Sequence, residues 1–314
     1  MFSRPVIALL APGQGSQTPG MLTPWLELDG AADRIAAWSD AIELDLSRLG
    51  TTAEADEIKD TAVTQPLVVA AALLAAGELR KRIEIPADTL VAGHSVGELA
   101  AAAIAGVLSE DDAVRLAAVR GREMAAACAL EPTGMSAVLG GDADEVLAAI
   151  DALGLTPANR NGAGQTVAAG LLTALEKLAE NPPERARVKA LPVAGAFHTE
   201  YMASALEALR DKASGVTVRD ATLPLLSNAD GTVVHTGSDV LRRLVAQVTR
   251  PVRWDACMDT MAQQGVTWSV ELPPAGALTG LVKRALKGTV AGTLALRTPE
   301  DLDKVADLIN GSAS

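Results

Sequence analysis

Residues 91–101 read VAGHSVGELAA, and the serine at their centre has a glycine two positions away on either side, Gly93-His94-Ser95-Val96-Gly97. A serine hydroxyl works as a nucleophile when a tight strand-to-helix turn holds it in a strained backbone conformation, and only small residues two before and two after leave room for that turn. The flanks fit. Residues 89–92 form a short apolar run that predicts a strand, and residues 98–107 predict an alanine-rich helix. G-x-S-x-G also arises in ordinary loops, so this context carries the argument. The helix start would bring the N–H of Val96 close to the serine, where a backbone amide and the helix dipole favour a developing oxyanion.

A serine hydroxyl needs a base, and the chain has three histidines. His94 adjoins the nucleophile, where neighbouring side chains diverge, so it reads as packed or at the rim. His235 lies in a polar, turn-rich stretch and reads as a surface residue. His198, in VAGAFHTEYM, follows a glycine-containing apolar segment and precedes a helix; elimination favours it as the base.

A second signal lies on the helix predicted over residues 110–128. Ala113, Leu116, Ala117, Met124 and Ala127 make one apolar stripe, and Arg120 falls in its middle, whereas Arg115 and Arg122 lie off it. A guanidinium on a buried face needs an anion. Two readings stand at this point: a structural ion pair or snorkelling arginine, and a fork held open for a substrate carboxylate.

The elements that must position these groups alternate between helical and apolar segments, the rhythm of a parallel sheet covered by helices. Residues 6–10 predict a buried first strand, followed by the turn PGQGSQTPG. An alanine-rich helix is expected over residues 67–79, its start marked by Gln65-Pro66, and Ser109-Glu110-Asp111-Asp112 resembles a capping box. Between Met135 and Val193 the order becomes strand, helix, strand, strand, helix, strand. That is the βαββαβ ferredoxin-like unit, its third element weakened by Pro157. The α/β rhythm then resumes with helices over 201–213 and 240–248, strands over 223–226 and 268–272, and a helix over 278–286.

Bulk properties narrow the function. The 314 residues carry a formal charge of −12, which argues against nucleic acid or a membrane surface as main partner. Cys128 and Cys257 have neither metal-ligand nor disulfide-framework spacing and suit a reducing, cytoplasmic compartment. The early Arg4 and short apolar run are the bare ingredients of a signal peptide, but the run is too brief. No stretch is expected to approach a membrane span.

Eight stretches in order resemble the malonyl-CoA:acyl-carrier-protein transacylases: PGQGSQ at 12–17, TQP at 64–66, GHSVGE at 93–98, RG at 120–121, GAFHT at 195–199, SNADG at 227–231, QVTRPVRW at 247–254 and LTGLVKR at 278–284. The resemblance implies an α/β fold in which an α/β-hydrolase-like large subdomain with a parallel sheet, residues 1–130 and 196–314, carries an inserted ferredoxin-like subdomain, residues 131–195. It implies Ser95 as nucleophile, His198 as base, Arg120 as clamp on the malonyl carboxylate, and the backbone N–H groups of Gln14 and Val96 as oxyanion hole. Gln65 would line the pocket, and the main-chain carbonyl of Gln247 would orient the imidazole. Leu272-Pro273-Pro274-Ala275-Gly276 departs from the family's usual Gly-Pro-Gly, which leaves that turn's geometry open.

The implied cycle takes malonyl from malonyl-CoA onto Ser95 and then to the phosphopantetheine thiol of an acyl carrier protein, without metal or cofactor. Arg120 has nothing to pair with in an acetyl group. Phe197 beside the base should crowd a branched α-carbon, favouring malonyl over methylmalonyl. Arg242, Arg243, Arg250, Arg253, Lys283 and Arg284 are candidates for a basic rim that receives the acidic carrier. The rival readings are a serine thioesterase or hydrolase of the same fold, an acyltransferase of another acyl preference, and a silent carrier-binding module. A compact single chain suggests a monomer.

Overall fold

The structure, a computed structural model, describes residues 5–310; Arg4 and the tail after Asn310 lie outside the described residues. Two sheets organise it. The larger contains β1 (Ile7–Ala11), β2 (Leu90–Gly93), β7 (Leu225–Leu226), β8 (Val233–Val234), β10 (Trp268–Glu271) and β11 (Gly292–Ala295), in the order β11-β10-β1-β2-β7-β8. All neighbours are parallel except the short hairpin β7-β8 at one edge.

The central strand β1 is IALLA because both its faces are covered. Ile7, Leu9 and Ala11 join one apolar cluster and Ala8 and Leu10 another, so no position can be polar. The connection from β1 to β2 includes the helix Thr61–Arg80. This helix begins earlier than the Gln65-Pro66 signal suggests: Asp60 caps it by accepting from the N–H of Ala62, and Pro66 sits inside its second turn. Proline there removes one helical donor, a loss that tertiary packing overrides. The helix also has the length and apolar composition of a membrane span, which corrects the expectation that no stretch comes near one. Most of it is buried inside the protein, which accounts for its apolar composition.

The smaller sheet contains β3 (Thr133–Gly140), β4 (Thr156–Gly162), β5 (Gln165–Leu171), β6 (Ala186–Ala190) and β9 (Val252–Arg253), in the order β6-β3-β5-β4-β9. With the helices Ala143–Ala152 and Leu172–Glu180, the expected strand-helix-strand-strand-helix-strand order forms. Pro157 is accommodated by a bulge between Pro157 and Asn159 where β4 meets β5. One face of this sheet builds its own apolar core from Val138, Val146, Ile150, Ala168, Leu175 and Leu178. The other face looks towards β2. Strand β9 comes from far along the chain and pairs parallel to β4, a fifth, edge strand that sequence reading did not anticipate.

Candidate active site

The candidate site lies where loops leave the carboxyl ends of the neighbouring strands β1 and β2, the usual place for a ligand in a parallel sheet. Ser95 follows β2 with φ +54°, a left-handed value that a serine adopts only under constraint. Both flanking glycines are required. A Cβ on Gly93 would collide with the backbone of Gly97, and one on Gly97 with the carbonyl of Ala11. Asn228 stitches the turn from behind: its Oδ1 accepts the Ser95 N–H at 2.8 Å and its Nδ2 donates to the Gly93 carbonyl at 2.8 Å. The serine's own N–H is therefore occupied. Val96 stands at the N-terminus of the helix Gly97–Ile104 and Gln14 in the loop after β1, and both line the cavity around Ser95.

His198 is buried and also has a positive φ, +61°. Its Nε2 lies 2.8 Å from Ser95 Oγ and its Nδ1 2.8 Å from the main-chain carbonyl of Gln247. That carbonyl belongs to the residue that caps the helix Gly237–Ala246, at the negative end of its dipole, and it also accepts from the Arg250 N–H at 3.1 Å. An Nδ1–H donated there leaves the Nε2 lone pair facing the hydroxyl. Burial and the positive charge of Arg120 together lower the imidazole to about 3, so it stays neutral.

Arg120 sits on the buried face of the helix Glu110–Cys128, as its place in the apolar stripe predicts, with 2% of its surface exposed. The helix opens on Ser109, whose side chain accepts from the N–H of Asp112. Gly121 lets this helix approach the helix Thr61–Arg80, since a Cβ there would lie 2.7 Å from the carbonyl of Thr61. The guanidinium then reaches three oxygens: Gln65 Oε1 at 2.6 Å, Gln247 Oε1 at 2.9 Å and Ser95 Oγ at 3.2 Å. Among the described residues no carboxylate pairs with it, so of the two readings left open by sequence the structural ion pair falls away. Burial lowers its pKa to about 10, still well above neutrality.

Behind these groups lies Glu98, 5% exposed. It accepts from the main-chain N–H of Asn228 at 2.6 Å and from Gln247 Nε2. Burial pushes its carboxyl up to about 8, against the pull of these donors and of the Arg120 charge. Neither Glu98 nor Asn228 was read as functional from sequence, although both lie in stretches, GHSVGE and SNADG, that carried the family resemblance.

The cavity over Ser95 measures about 190 Å³. The expected residues Gln14, Gln65, Ser95, Val96, Arg120, Phe197 and His198 all line it. The facing sheet adds Met135, Asn159, Asn161, Gln165 and Val167, which sequence reading missed. On β4 and β5 these stand two apart on one face, but Arg160 and Thr166 between them are polar too and Val167 is apolar, so no alternation marked that face in the sequence. His94 is at the rim and meets Asn161 Oδ1 through Nε2 at 2.9 Å, tying the serine turn to the facing sheet. His235 is exposed, as expected.

A serine–imidazole pair of this geometry, with a buried unpaired guanidinium on the hydroxyl, is built for acyl chemistry on an anionic substrate. The acyl transferase domain family matches residues 9–306. The malonyl CoA-acyl carrier protein transacylase of Mycobacterium tuberculosis H37Rv is 62% identical over 304 residues, covering 96% of this chain and 100% of the relative. The chain belongs to the malonyl CoA-acyl carrier protein transacylase family. Among solved transacylase structures, that of MCAT from Mycobacterium tuberculosis superposes with a TM-score of 0.92 at 61% identity, over 96% of this chain and 99% of the other. A malonyl-transacylase in complex with its type II PKS acyl-carrier protein superposes with a TM-score of 0.89 at 28% identity, over 96% and 99%. The turn before the helix Ala277–Ala285, which departs from the transacylase pattern in sequence, is held by a side chain of its own. Buried Glu271 accepts there from the N–H groups of Gly276, Leu278 and Thr279. The last helix among the described residues is instead Leu302–Ile309, which sequence reading did not anticipate.

Proposed function

We propose that this chain moves a malonyl group from malonyl-CoA to the phosphopantetheine thiol of an acyl carrier protein through a malonyl ester on Ser95. The observation that carries the reading is Arg120: a buried, charged fork in contact with the nucleophile and held only by neutral oxygens.

In the first half-reaction Ser95 passes its proton to His198 Nε2 as Oγ attacks the thioester carbon. The oxyanion is received by the backbone N–H groups of Val96 and Gln14. The carbon–sulfur bond then breaks, and the imidazolium returns its proton to the CoA thiolate. In the second, the carrier thiol gives its proton to His198, sulfur attacks the ester carbon, and the Oγ–carbon bond breaks as the serine regains its proton. Arg120 holds the distal carboxylate throughout, and Gln65 and Phe197 bound the acyl group. Every transferred atom is accounted for, so the cycle calls for no metal or cofactor.

A neutral carbonyl behind His198 supports transfer over hydrolysis, because it orients the ring without the charge that a triad carboxylate adds. The carrier approaches over a groove of about 650 Å³ lined by Arg160, Arg242, Arg243, Arg250 and Arg253, which also reaches Gln247. Arg242, Arg243 and Arg253 are partly answered by Asp239, Asp230 and Asp255, whereas Arg250 is exposed to incoming charge. Lys283 and Arg284 do not line this groove and drop out of the docking reading.

We read the chain as an α/β-hydrolase-like unit over 1–130 and 196–314 and a ferredoxin-like unit over 131–195. The separate apolar core of the smaller sheet and its antiparallel strand order support this division. Two free thiols support the cytoplasmic reading, and the monomer reading rests on a compact single chain. Intact-mass measurement of carrier protein after incubation with malonyl-CoA and enzyme tests the function. A gain of one malonyl group is expected, lost with Ser95→Ala; malonate released at the same rate without carrier would instead mark a hydrolase.

A further inference from the structure

We propose that Glu98 is a positioning residue for diacid selection, acting through the side chain of Gln247 to fix the Arg120 guanidinium while leaving its charge free for a substrate carboxylate. The proposal rests on the malonyl-transfer reading and explains how its clamp can exist empty.

A buried guanidinium left without compensation is costly. The simplest remedy, a carboxylate directly on the fork, would also cancel the charge and fill the donors that malonate needs. Here the two terminal nitrogens rest on glutamine carbonyls, Gln65 Oε1 and Gln247 Oε1, which orient the fork without neutralising it.

A glutamine amide can sit either way round, and the two orientations exchange an acceptor for a donor. Gln247 must present oxygen to Arg120, and what decides this is the other end of the amide. Its Nε2 faces Glu98 Oε2, the Ser95 carbonyl at 3.1 Å and Asn228 Oδ1 at 3.3 Å. Turning the amide over would set oxygen against a carboxylate and an NH2 against a guanidinium, two repulsions at once. Glu98 itself cannot turn away, because its second oxygen holds the Asn228 N–H at 2.6 Å. Both carboxyl oxygens thus face donors, and the Ser95 carbonyl and Asn228 Oδ1 add two more acceptors around the Gln247 NH2.

The remaining ionisable neighbours fit the same role. Arg120 and Arg243 act on Glu98 through their charge without pairing with it, and the Cys257 thiol is pushed up by burial and stays neutral. Burial holds the Glu98 carboxyl at about 8, so at neutral pH it serves Arg120 as an oriented acceptor for the Gln247 amide and not as a full counter-charge.

Glu98→Gln tests this. The new NH2 must face either the Asn228 N–H or the Gln247 NH2, and the relief available is to turn Gln247 over. With CoA release from malonyl-CoA and from acetyl-CoA measured in parallel, KM for malonyl-CoA should rise about tenfold or more while that for acetyl-CoA stays within about twofold. The exchange Glu98→Gln with Gln247→Glu restores donor–acceptor matching but puts a carboxylate on Arg120. It should recover thermal stability and not malonyl KM. If Glu98→Gln does not fold, Gln247→Met, which keeps the carbonyl that holds His198, is read by the same split. Equal losses with both donors, recovery of malonyl KM by the exchange, or failure of all three variants to fold would each reveal a scaffold role and overturn the proposal. A wild-type protein that releases no CoA from malonyl-CoA would overturn the transferase reading instead.

Discussion

At the scale of single residues, His198 and Arg120 share one small space, and the charge of the second shapes the basicity of the first. With its folded-state pKa at about 3, below the usual histidine value, the imidazole is unprotonated at neutral pH and well into the acid range. Two consequences follow, with signs that can be checked. The rate of Ser95 acylation, read as kcat/KM for CoA release, should show no inflection near the usual histidine value between about pH 5.5 and 7. Stability should fall over the same interval on acidification, because the unfolded chain takes up the proton that folded His198 refuses. A sigmoid in the rate centred near 6.5 would mean that the ring is solvated and the pocket more open than described. The serine and its turn were legible in the sequence because glycines at that spacing, between an apolar run and a helix, answer a steric demand that few loops make. Arg120 was legible as an anomaly, a charge in an apolar stripe, for which the residues alone left a structural ion pair and a carboxylate fork both open. Its partners, Gln65 and Gln247, are 55 and 127 residues away in the chain, and two neutral glutamines give no signal of a shared cation.

At the scale of elements, the proposed clamp depends on how closely two helices approach. Gly121 follows Arg120 and faces the carbonyl of Thr61, so the spacing between helices Glu110–Cys128 and Thr61–Arg80 is set by a missing methyl group. Gly121→Ala should force them apart, destabilise the protein by about 1–3 kcal/mol, and raise malonyl KM as Arg120 withdraws from Gln65. Thermal unfolding and steady-state kinetics with malonyl-CoA measure both, and a stable variant with unchanged KM would show that the contact is slack. Most elements followed from periodicity, including the six of the smaller sheet. The start of the helix Thr61–Arg80 did not, because proline is a boundary signal only where packing fails to overrule it. Strand β9 was invisible on different grounds: two residues carry no period, and their pairing with β4 is fixed by where the chain returns.

At the scale of the whole molecule, the proposed docking asks a chain of net charge −12 to receive an acidic carrier, and the five-arginine groove is where local charge opposes the total. Arg250→Glu should lower kcat/KM for carrier protein about tenfold, steepen none of the kinetics with malonyl-CoA alone, and weaken the salt dependence of transfer. An effect on CoA release without carrier would instead place Arg250 at the acyl pocket. The groove adjoins the point where the two sheets are sewn together. Gln247 holds the base, and five residues later the same chain lies down beside β4, while the Arg253 N–H donates to the Asn228 carbonyl at 2.7 Å. The jaw over the Ser95 cavity and the rod that aims the His198 imidazole are thus one continuous ribbon, so in the proposed docking a carrier that pries at the lip tugs on the ring itself.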